Sequence, residues 1–407
     1  MNQISATKEK TWVSDGEGLS RKDRKSCRYE IFIPDHLTNR DFYFSAAVTA
    51  DISEAEQAIT KFNAEATSLV STEALARLLL RAECVASSKI EGLAVHPKRL
   101  LKAEAGLDVI KGRADDSARE ILANIRVAEM AINKITSGDE ITLDLILEVN
   151  KLLITDPRLA NKAGKLRREQ NWVGGSSYNP CSADFVPPND ELVPDLMADL
   201  IEFCNQDGIS PIAQAAIAHA QFETIHPFID GNGRTGRVLI QMILRKRNLS
   251  PRVLPPVSLV LATQVDSYIG GLEATRLVGD PDSNEIRDGI NLWVGRFAAA
   301  CKRAVENSLA FEGLAQEIED SWRKKIGKIR KNSSSDLLLG GLIGMPIVTV
   351  ETAKSITTAG YKATNEAIEN LVNHGILEPV SSDKRNRAFE AREMIQAFAD
   401  LEERLTS

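Results

Sequence analysis

The sequence predicts a mainly α-helical fold, and three observations carry that expectation. Aromatic residues make up only 5% of the chain while alanine and leucine abound, a balance that favours helices over sheets. Apolar residues recur at three- and four-residue intervals through several long segments, the period of a helix with one buried face. Serines and glycines stand where such segments begin and end, as helix caps do. Two stretches depart from this pattern. Residues 164–188 are rich in Gly, Ser, Asn and Pro and read as a small β-hairpin flap. The last seventy residues or so read as a C-terminal winged helix.

The elements follow in order. Residues 1–28 are polar and charged, so little order is expected there. Tyr29 to Pro34 reads as an extended segment that pins this arm to the body. Ser53 and Glu56 form a capping-box pattern, and the helix they start is expected to run to about Val70. Ser71 caps the next, through Leu75, Leu78, Leu79 and Ala82 to Glu91, with Gly92 where a C′ glycine belongs. Helices are expected over Asp115–Ile135 and Thr142–Leu153. Gln170–Gly175 and Ala183–Pro188 are two extended pieces around a turn, and Asp190–Asn205 is helical again. Pro211 to Ile225 is a buried, alanine-rich helix that delivers His226 to its end. His219 lies on the same face and is read as a packed core histidine. After the Pro251–Pro256 breaker come a helix containing Tyr268 and an amphipathic run around Trp293 and Phe297. Glu312–Lys331 is strongly charged and reads as a solvated linking helix.

From Leu337 onward, Thr352–Ile356, a turn, and Lys362–Asn373 suggest helix–turn–helix. Gly375–Glu378 and Ala388–Ala391 would be strands around a wing holding Lys384, Arg385 and Arg387. Residues 340–407 nevertheless carry seven Lys and Arg against ten Asp and Glu. The helix that would enter a groove holds Glu366 and Glu369, whereas a strong DNA reader is basic there. Protein contacts are favoured for this region, with DNA binding left open.

Composition narrows the function classes. A chain of 407 residues with 43% hydrophobic and 26% charged residues has the make-up of a soluble globular protein with room for two or three domains. A formal net charge of −7 argues against generic binding to nucleic acid or a membrane surface. The five cysteines, Cys27, Cys84, Cys181, Cys204 and Cys301, are scattered and show no Cys-x-x-Cys pattern. Neither a disulfide framework nor a zinc site is expected from them, which fits a reducing cytoplasm. No apolar run reaches membrane-spanning length, and no membrane partner is expected.

The chemistry concentrates in His226-Pro227-Phe228-Ile229-Asp230-Gly231-Asn232-Gly233-Arg234-Thr235-Gly236-Arg237. Pro227 stops the preceding helix. Asp230 to Gly233 is a short loop whose glycines let backbone approach a ligand. Arg234 and Arg237, three apart, share a face on the first turn of the helix that continues through Val238, Leu239 and Ile240. Backbone N–H groups at a helix start, beside glycines and two arginines, suit a polyphosphate. Asp230 is placed to hold Mg²⁺ against those phosphates. His226 is placed to accept a proton, since imidazole titrates near neutral pH. The plainer alternative is a histidine in a tight helix–helix turn with solvated arginines. It weakens because base, carboxylate, glycine loop and paired arginines all fall within twelve residues.

This stretch resembles the signature of the Fic family, His-x-Phe-x-Asp/Glu-Gly-Asn-Gly-Arg-x-x-Arg, at every defined position. The resemblance covers roughly residues 72–305 by pattern and is specific at 226–237. Ser87-Ser88-Lys89-Ile90-Glu91-Gly92 also resembles the family's inhibitory motif, Ser/Thr-x-x-x-Glu-Gly/Asn, although alone it reads as a serine and a glutamate on a closing turn. The resemblance implies a helical Fic core at 115–310, preceded by an N-terminal arm (1–50) and a helical segment with the inhibitory motif (51–114). A linking helix (311–336) and the winged helix (337–407) follow.

What the family does implies AMP transfer from Mg·ATP to a Ser, Thr or Tyr hydroxyl of a protein target, possibly the chain itself. His226 would be the base and Asp230 the magnesium ligand. The backbone of Gly231 to Gly233 and the Asn232 side chain would hold the α-phosphate. Arg234 would grip the β-phosphate and Arg237 the γ-phosphate, with Thr235 and Gly236 in the same ATP-binding turn. Phe228 would anchor the turn in the core, and residues 170–188 would be the flap that holds target segments. Tyr268 is either a contact near the adenine or a core residue. Ser87 and Glu91 would be inhibitory, Glu91 by pairing with Arg237. Gly231-Asn232-Gly233 speaks against the Gly-Asn-Lys variant of relatives that act as kinases. A nucleotide-sensing regulator with the winged helix as its output, removal of AMP, and a homo-oligomer remain alternatives.

Overall fold

The computed structural model describes residues 5–14, 16, 20–21, 23–65, 72–107, 113–380 and 387–403. In chain order, a strand pair β1 (Ala6–Trp12) and β2 (Cys27–Ile33) is followed by α1 (Ala46–Glu65), α2 (Thr72–Ile90), α3 (Pro97–Glu104), α4 (Arg113–Lys134) and α5 (Leu143–Leu153). Then come α6 (Val193–Asn205), α7 (Pro211–Ile225), α8 (Asn232–Lys246), α9 (Val257–Leu261), α10 (Val265–Ala274) and α11 (Asn284–Ile326). The chain continues with α12 (Ser334–Gly344), β3 (Ile347–Thr349), α13 (Val350–Thr357), α14 (Tyr361–Asn373), β4 (Glu378–Pro379), β5 (Ala388–Glu390) and α15 (Arg392–Glu403). The fold is mainly α, as the composition predicts. Packing divides it into two compact units: Met1–Glu56 with Met130–Leu249 and Val265–Ala299, and Gln57–Glu129 with Ser250–Gln264 and Ala300–Ser407.

The first unit is built on α7 and α8, which pack against each other, with α6 beside α7 and α5 beside α8. Every residue of α7 from Ile212 to Ile225 is buried. Such a helix has no solvent face, and its alanines let neighbours approach from all sides. Ser210 caps it, its Oγ accepting from the Ile212 and Ala213 N–H groups at 3.1 and 3.3 Å. His219, from the middle of α7, lies among Tyr268 and Trp293 with ring centroids 5.9 and 6.2 Å away. It is fully buried, as the sequence reading expects, and its Nε2 shares a 2.8 Å hydrogen bond with the Tyr268 hydroxyl.

The N-terminal arm differs from expectation. Residues 6–12, placed in a poorly ordered segment, form a strand antiparallel to β2, with Ala6 opposite Ile33 and Trp12 opposite Cys27. The Phe32 N–H then donates to Val186 O at 3.0 Å, so β2 lies alongside the flap. The flap is the expected hairpin in reduced form, a single antiparallel bridge between Val173 and Phe185. Trp12 meets Trp172 edge-on at 6.1 Å. Cys27 is bonded to Cys181 in a disulfide with Cα atoms 5.7 Å apart. That corrects the expectation of unpaired thiols and with it the compartment argument. The two cysteines are 154 residues apart, so no local spacing announces the pair. Cys84, Cys204 and Cys301 are free and buried.

Helix α1 starts at Ala46 rather than at Ser53. The cap is Ser45, whose Oγ accepts from Val48 N–H at 3.3 Å. Glu56 instead accepts from Ser210 Oγ at 2.6 Å. The expected cap at Ser71 and helix end at Val70 lie outside the described residues.

In the second unit α2 packs against α9 and α12, α12 against α13 and α14, and α3 against α15. Buried Arg81, on α2, reaches Glu104 Oε2 at 2.8 Å and Gly344 O at 3.3 Å. Buried Glu83 accepts from Ser258 N–H and Oγ–H at 2.7 and 2.5 Å. The stretch from Glu312 is the later part of α11 and is not simply solvated. Trp322 and Glu319 are buried, and Trp322 Nε1 donates to Glu393 Oε2 at 2.7 Å. Charged residues dominate its composition because only Ala315, Glu319 and Trp322 are buried between Glu312 and Ile326.

Beyond α12 the three strands form an antiparallel sheet in the order β3-β5-β4. Helices α13 and α14 fall on the expected helix–turn–helix positions. Lys384 and Arg385 of the expected wing lie outside the described residues. Arg387 is described: it bonds Asn365 Oδ1 and sits over the Phe389 ring. Among the described residues no helix is long and apolar enough to cross a membrane.

Burial pushes the His219 imidazole down to about 3, with the charge of Arg237 adding to the effect. The unfolded chain therefore takes up a proton near pH 6.5 that the folded one refuses. Stability should fall as pH drops from about 6.5 toward 4, by up to about 1.4 kcal/mol per pH unit from this group. Urea midpoints measured across that range for the wild type and His219→Gln should give a shallower slope for the variant.

Candidate active site

His226 occupies the C-cap of α7 in the left-handed region, at φ 49° and ψ 60°. That conformation costs a non-glycine residue on the order of 1–3 kcal/mol and persists only where its surroundings enforce it. Several contacts do so. The His226 N–H donates to Phe222 O at 2.9 Å, and Pro227 removes the N–H that would continue the ladder. The His226 carbonyl accepts from Arg167 Nε at 2.9 Å and Asn171 Nδ2 at 3.2 Å. Asn171 Nδ2 also donates to Phe228 O at 2.9 Å. The imidazole itself is 19% exposed, with Nδ1 4.0 Å from Glu223 Oε2. A carboxylate on the Nδ1 side favours an imidazolium formed when the other ring nitrogen takes a proton.

The turn from 227 to 231 is tied internally. Phe228 is buried against Phe222 with ring centroids 6.2 Å apart and is the core anchor expected of it. Asn232 differs from the expectation that its side chain reaches a phosphate. Its Oδ1 accepts from Phe228 N–H and its Nδ2 donates to Phe228 O, both at 2.8 Å. At 3% exposure this amide is committed to shaping the loop. Asn150 Nδ2 donates to Asp230 O at 2.9 Å. Gly231 adopts φ 77°, and a Cβ there would stand 3.2 Å from Asn150 Nδ2, so glycine fits on both counts.

Helix α8 opens directly from this turn, its ladder beginning with Thr235 N–H on Gly231 O at 3.0 Å. The backbone N–H groups of Asn232 and Gly233 head the helix, where an anion is favoured. Arg234 and Arg237 are 4% and 2% exposed, against the alternative of solvated side chains. Thr235 is buried as well. Gly236 faces α7: a Cβ there would meet Glu223 Oε1 at 2.8 Å and His219 Nδ1 at 3.0 Å. It is a close-packing glycine rather than a ligand-binding one. Tyr268 is held at 5% exposure on His219, in the core position that the sequence reading gave as one of its two alternatives.

Asp230 is exposed, and its Oδ1 accepts from Gly231 N–H at 2.7 Å. No cluster of three metal-ligating side chains gathers among the described residues. A single exposed carboxylate beside a polyphosphate site still fits Mg²⁺, which keeps several waters and takes one or two carboxylates plus phosphate oxygens.

In the second unit, Ser87 is buried on α2 while Glu91 is exposed just past its end. The closing turn is the expected one: Gly92 has φ 77°, with Gly92 N–H on Lys89 O and Leu93 N–H on Ser88 O at 2.9 and 3.0 Å. That pair of bonds is a Schellman motif.

Arg167, Asn171, Asn150 and Glu223 were not singled out in the sequence. Only Glu223 carried a local signal, its three-residue spacing from His226 on one helix face. The others arrive from segments distant in the chain.

Comparison with known proteins agrees with this geometry. Residues 140–244 match the Fic/DOC family and residues 49–133 the Fic/DOC family N-terminal region. The chain is 36% identical over 122 residues to a Caenorhabditis elegans protein named protein adenylyltransferase fic-1, covering 29% of this chain and 22% of that protein. It is 32% identical over 151 residues to protein adenylyltransferase Fic of Drosophila erecta, covering 36% of this chain and 28% of that one. The chain thus spans well under half the length of these relatives. A Fic family protein of Desulfovibrio desulfuricans has the same fold, with a TM-score of 0.54 at 19% identity, covering 86% of this chain and 97% of that one. With the signature's histidine, glycine turn and paired arginines assembled at the junction of α7 and α8, residues 49–133 and 140–244 of the chain are similar to the Fic/DOC family.

Proposed function

We propose that this chain is a protein adenylyltransferase, moving AMP from ATP to a hydroxyl side chain of a protein. The observation that supports it most is the junction itself. A partly exposed imidazole and a helix start with two arginines meet across one five-residue turn. The target hydroxyl gives its proton to His226 as its oxygen attacks the α-phosphorus. The bond from that phosphorus to the bridging oxygen breaks, and pyrophosphate leaves. The backbone at Gly231–Gly233 holds the α-phosphate, Arg234 the β-phosphate and Arg237 the γ-phosphate. Such a transfer needs positioning and charge stabilisation and no covalent nucleophile. Mg²⁺, bound through Asp230, would neutralise phosphate charge.

Regulation is read from the segment ending α2. Glu91 and a γ-phosphate compete for the Arg237 guanidinium, so the wild type is held at low activity with its triphosphate misaligned. We read residues 337–407 as a winged helix used for protein contacts, given the order of the described helices and strands and its acidic balance. Specific binding of a defined DNA fragment at physiological salt would favour the regulator reading instead.

Three outcomes are expected with α-labelled ATP. His226→Ala should lose transfer by about 10²–10⁴-fold while ATP binding, followed by calorimetry, stays close to wild type; undiminished labelling would remove the histidine from its role. Asp230→Ala should lose activity together with any stimulation by added Mg²⁺. Glu91→Gly should raise auto-labelling by up to about 10²-fold, and adding His226→Ala to it should abolish the signal. Equal labelling by wild type and Glu91→Gly would refute autoinhibition by this residue.

A further inference from the structure

We propose that Arg167 is a positioning residue that fixes the catalytic turn at His226 and couples it to the base of the flap. The proposal rests on the adenylyltransferase reading for its kinetic arm and on geometry alone for its structural arm.

Arg167 lies between α5 and the flap and is 3% exposed. Its guanidinium donates only to backbone carbonyls. Nε donates to His226 O at 2.9 Å, and Nη2 to Ile225 O at 3.3 Å and Pro188 O at 2.5 Å. Nη1 donates to Glu169 O at 3.1 Å. The Arg167 backbone N–H adds Pro227 O at 2.9 Å. One residue thus engages three consecutive carbonyls at the end of α7, 225 to 227, and one carbonyl at each end of the flap, 169 and 188.

Three features set this apart from ordinary buried packing. First, a guanidinium carries five N–H donors in a rigid planar fork, and no other side chain can span four carbonyls diverging in this way. Second, burial of the cation is costly: desolvation pulls its pKa down to about 10, with Asp190 the nearby charge opposing that. It stays protonated at neutral pH, solvated by carbonyl dipoles. An apolar side chain would fill the space at less cost but hold none of the carbonyls. Third, the residue it holds is the one in a strained left-handed conformation at the site. The ends of α7's last turn would otherwise relax, because a helix C-terminus leaves carbonyls without intrahelical partners.

The coupling follows from the shared donor group. Displacement of the flap at Glu169 or Pro188 pulls on the same plane that orients His226 O. Asn171, two residues after Glu169, reinforces this by donating to His226 O and Phe228 O. A target segment docking on the flap would therefore set the base as it binds.

Arg167→Lys keeps the charge but replaces the fork with a single ammonium; Asn171→Ala removes the second donor without a buried charge. For both, transfer turnover should fall about 10²-fold, the cost of a small misplacement of a reacting group. KM for ATP should stay within about threefold, because Arg167 and Asn171 bond carbonyls of residues 225–228 and the flap and no group on α8. Hydrogen–deuterium exchange at the His226 and Phe228 amides should rise by about tenfold or more, while amides in the middle of α7 and α8 keep wild-type protection. If wild type labels and both variants turn over at the wild-type rate, the inference is overturned. If wild type does not label, the adenylyltransferase reading fails and exchange decides: unchanged protection at His226 and Phe228 overturns the positioning role, and local loss supports it. Should Arg167→Lys fail to fold, Asn171→Ala carries the same two measurements, and global loss of protection in both would likewise overturn a local role.

Discussion

The close approach of α7 and α8 at Gly236 is the constraint on which the rest of the site depends. A hydrogen in place of a side chain lets α8 press against Phe222, His219 and Glu223 of α7. His226 leaves the end of one helix, and the glycine turn opens the start of the other. Their separation is therefore set by helix packing, which is stiff, and not by a loop. The cost is a core dense in polar groups, since His219, Glu223, Arg234 and Arg237 all lie within it.

Polar side chains then do two jobs in this unit. Some, such as Asn232 and Asn150, hold backbone in shapes that hydrogen bonding within helices would not produce. Others sit where a ligand's charge would come. Burial makes both effective, because a hydrogen bond shielded from water is hard to exchange for another.

Much of this was legible in the sequence. The span of α7 was read to the residue, from Pro211 to Ile225 with Pro227 as its stop. The turn closing α2 was legible for a similar reason, with Gly92 at the required positive φ. What stayed hidden were pairings across long stretches of chain. Cys27 and Cys181 have no spacing pattern, and strand β1 has no apolar alternation to betray it, only the partner it finds in β2. At Ser53 a correct local rule was applied at the wrong place, because a second serine, Ser45, lay about two helical turns upstream and won the cap. Within the site, the residue types were legible and their tasks only partly so. Asn232 looked like a ligand contact because nothing local says that Phe228 will turn both its backbone groups toward it.

That arrangement bears on how the protein ages. Asn232 is followed by Gly233, and asparagine before glycine is the pair most prone to deamidation, since the unhindered glycine nitrogen can attack the side-chain carbonyl and close a succinimide. Here both ends of the amide are engaged by Phe228, and the following backbone is already wound into α8. Ring closure would need that nitrogen to approach an amide turned away from it. The fold that shapes the turn therefore also shields it from chemical decay, and the hazard belongs to the unfolded chain. A molecule damaged there would refold with a carboxylate at the head of α8, beside the two arginines of that helix.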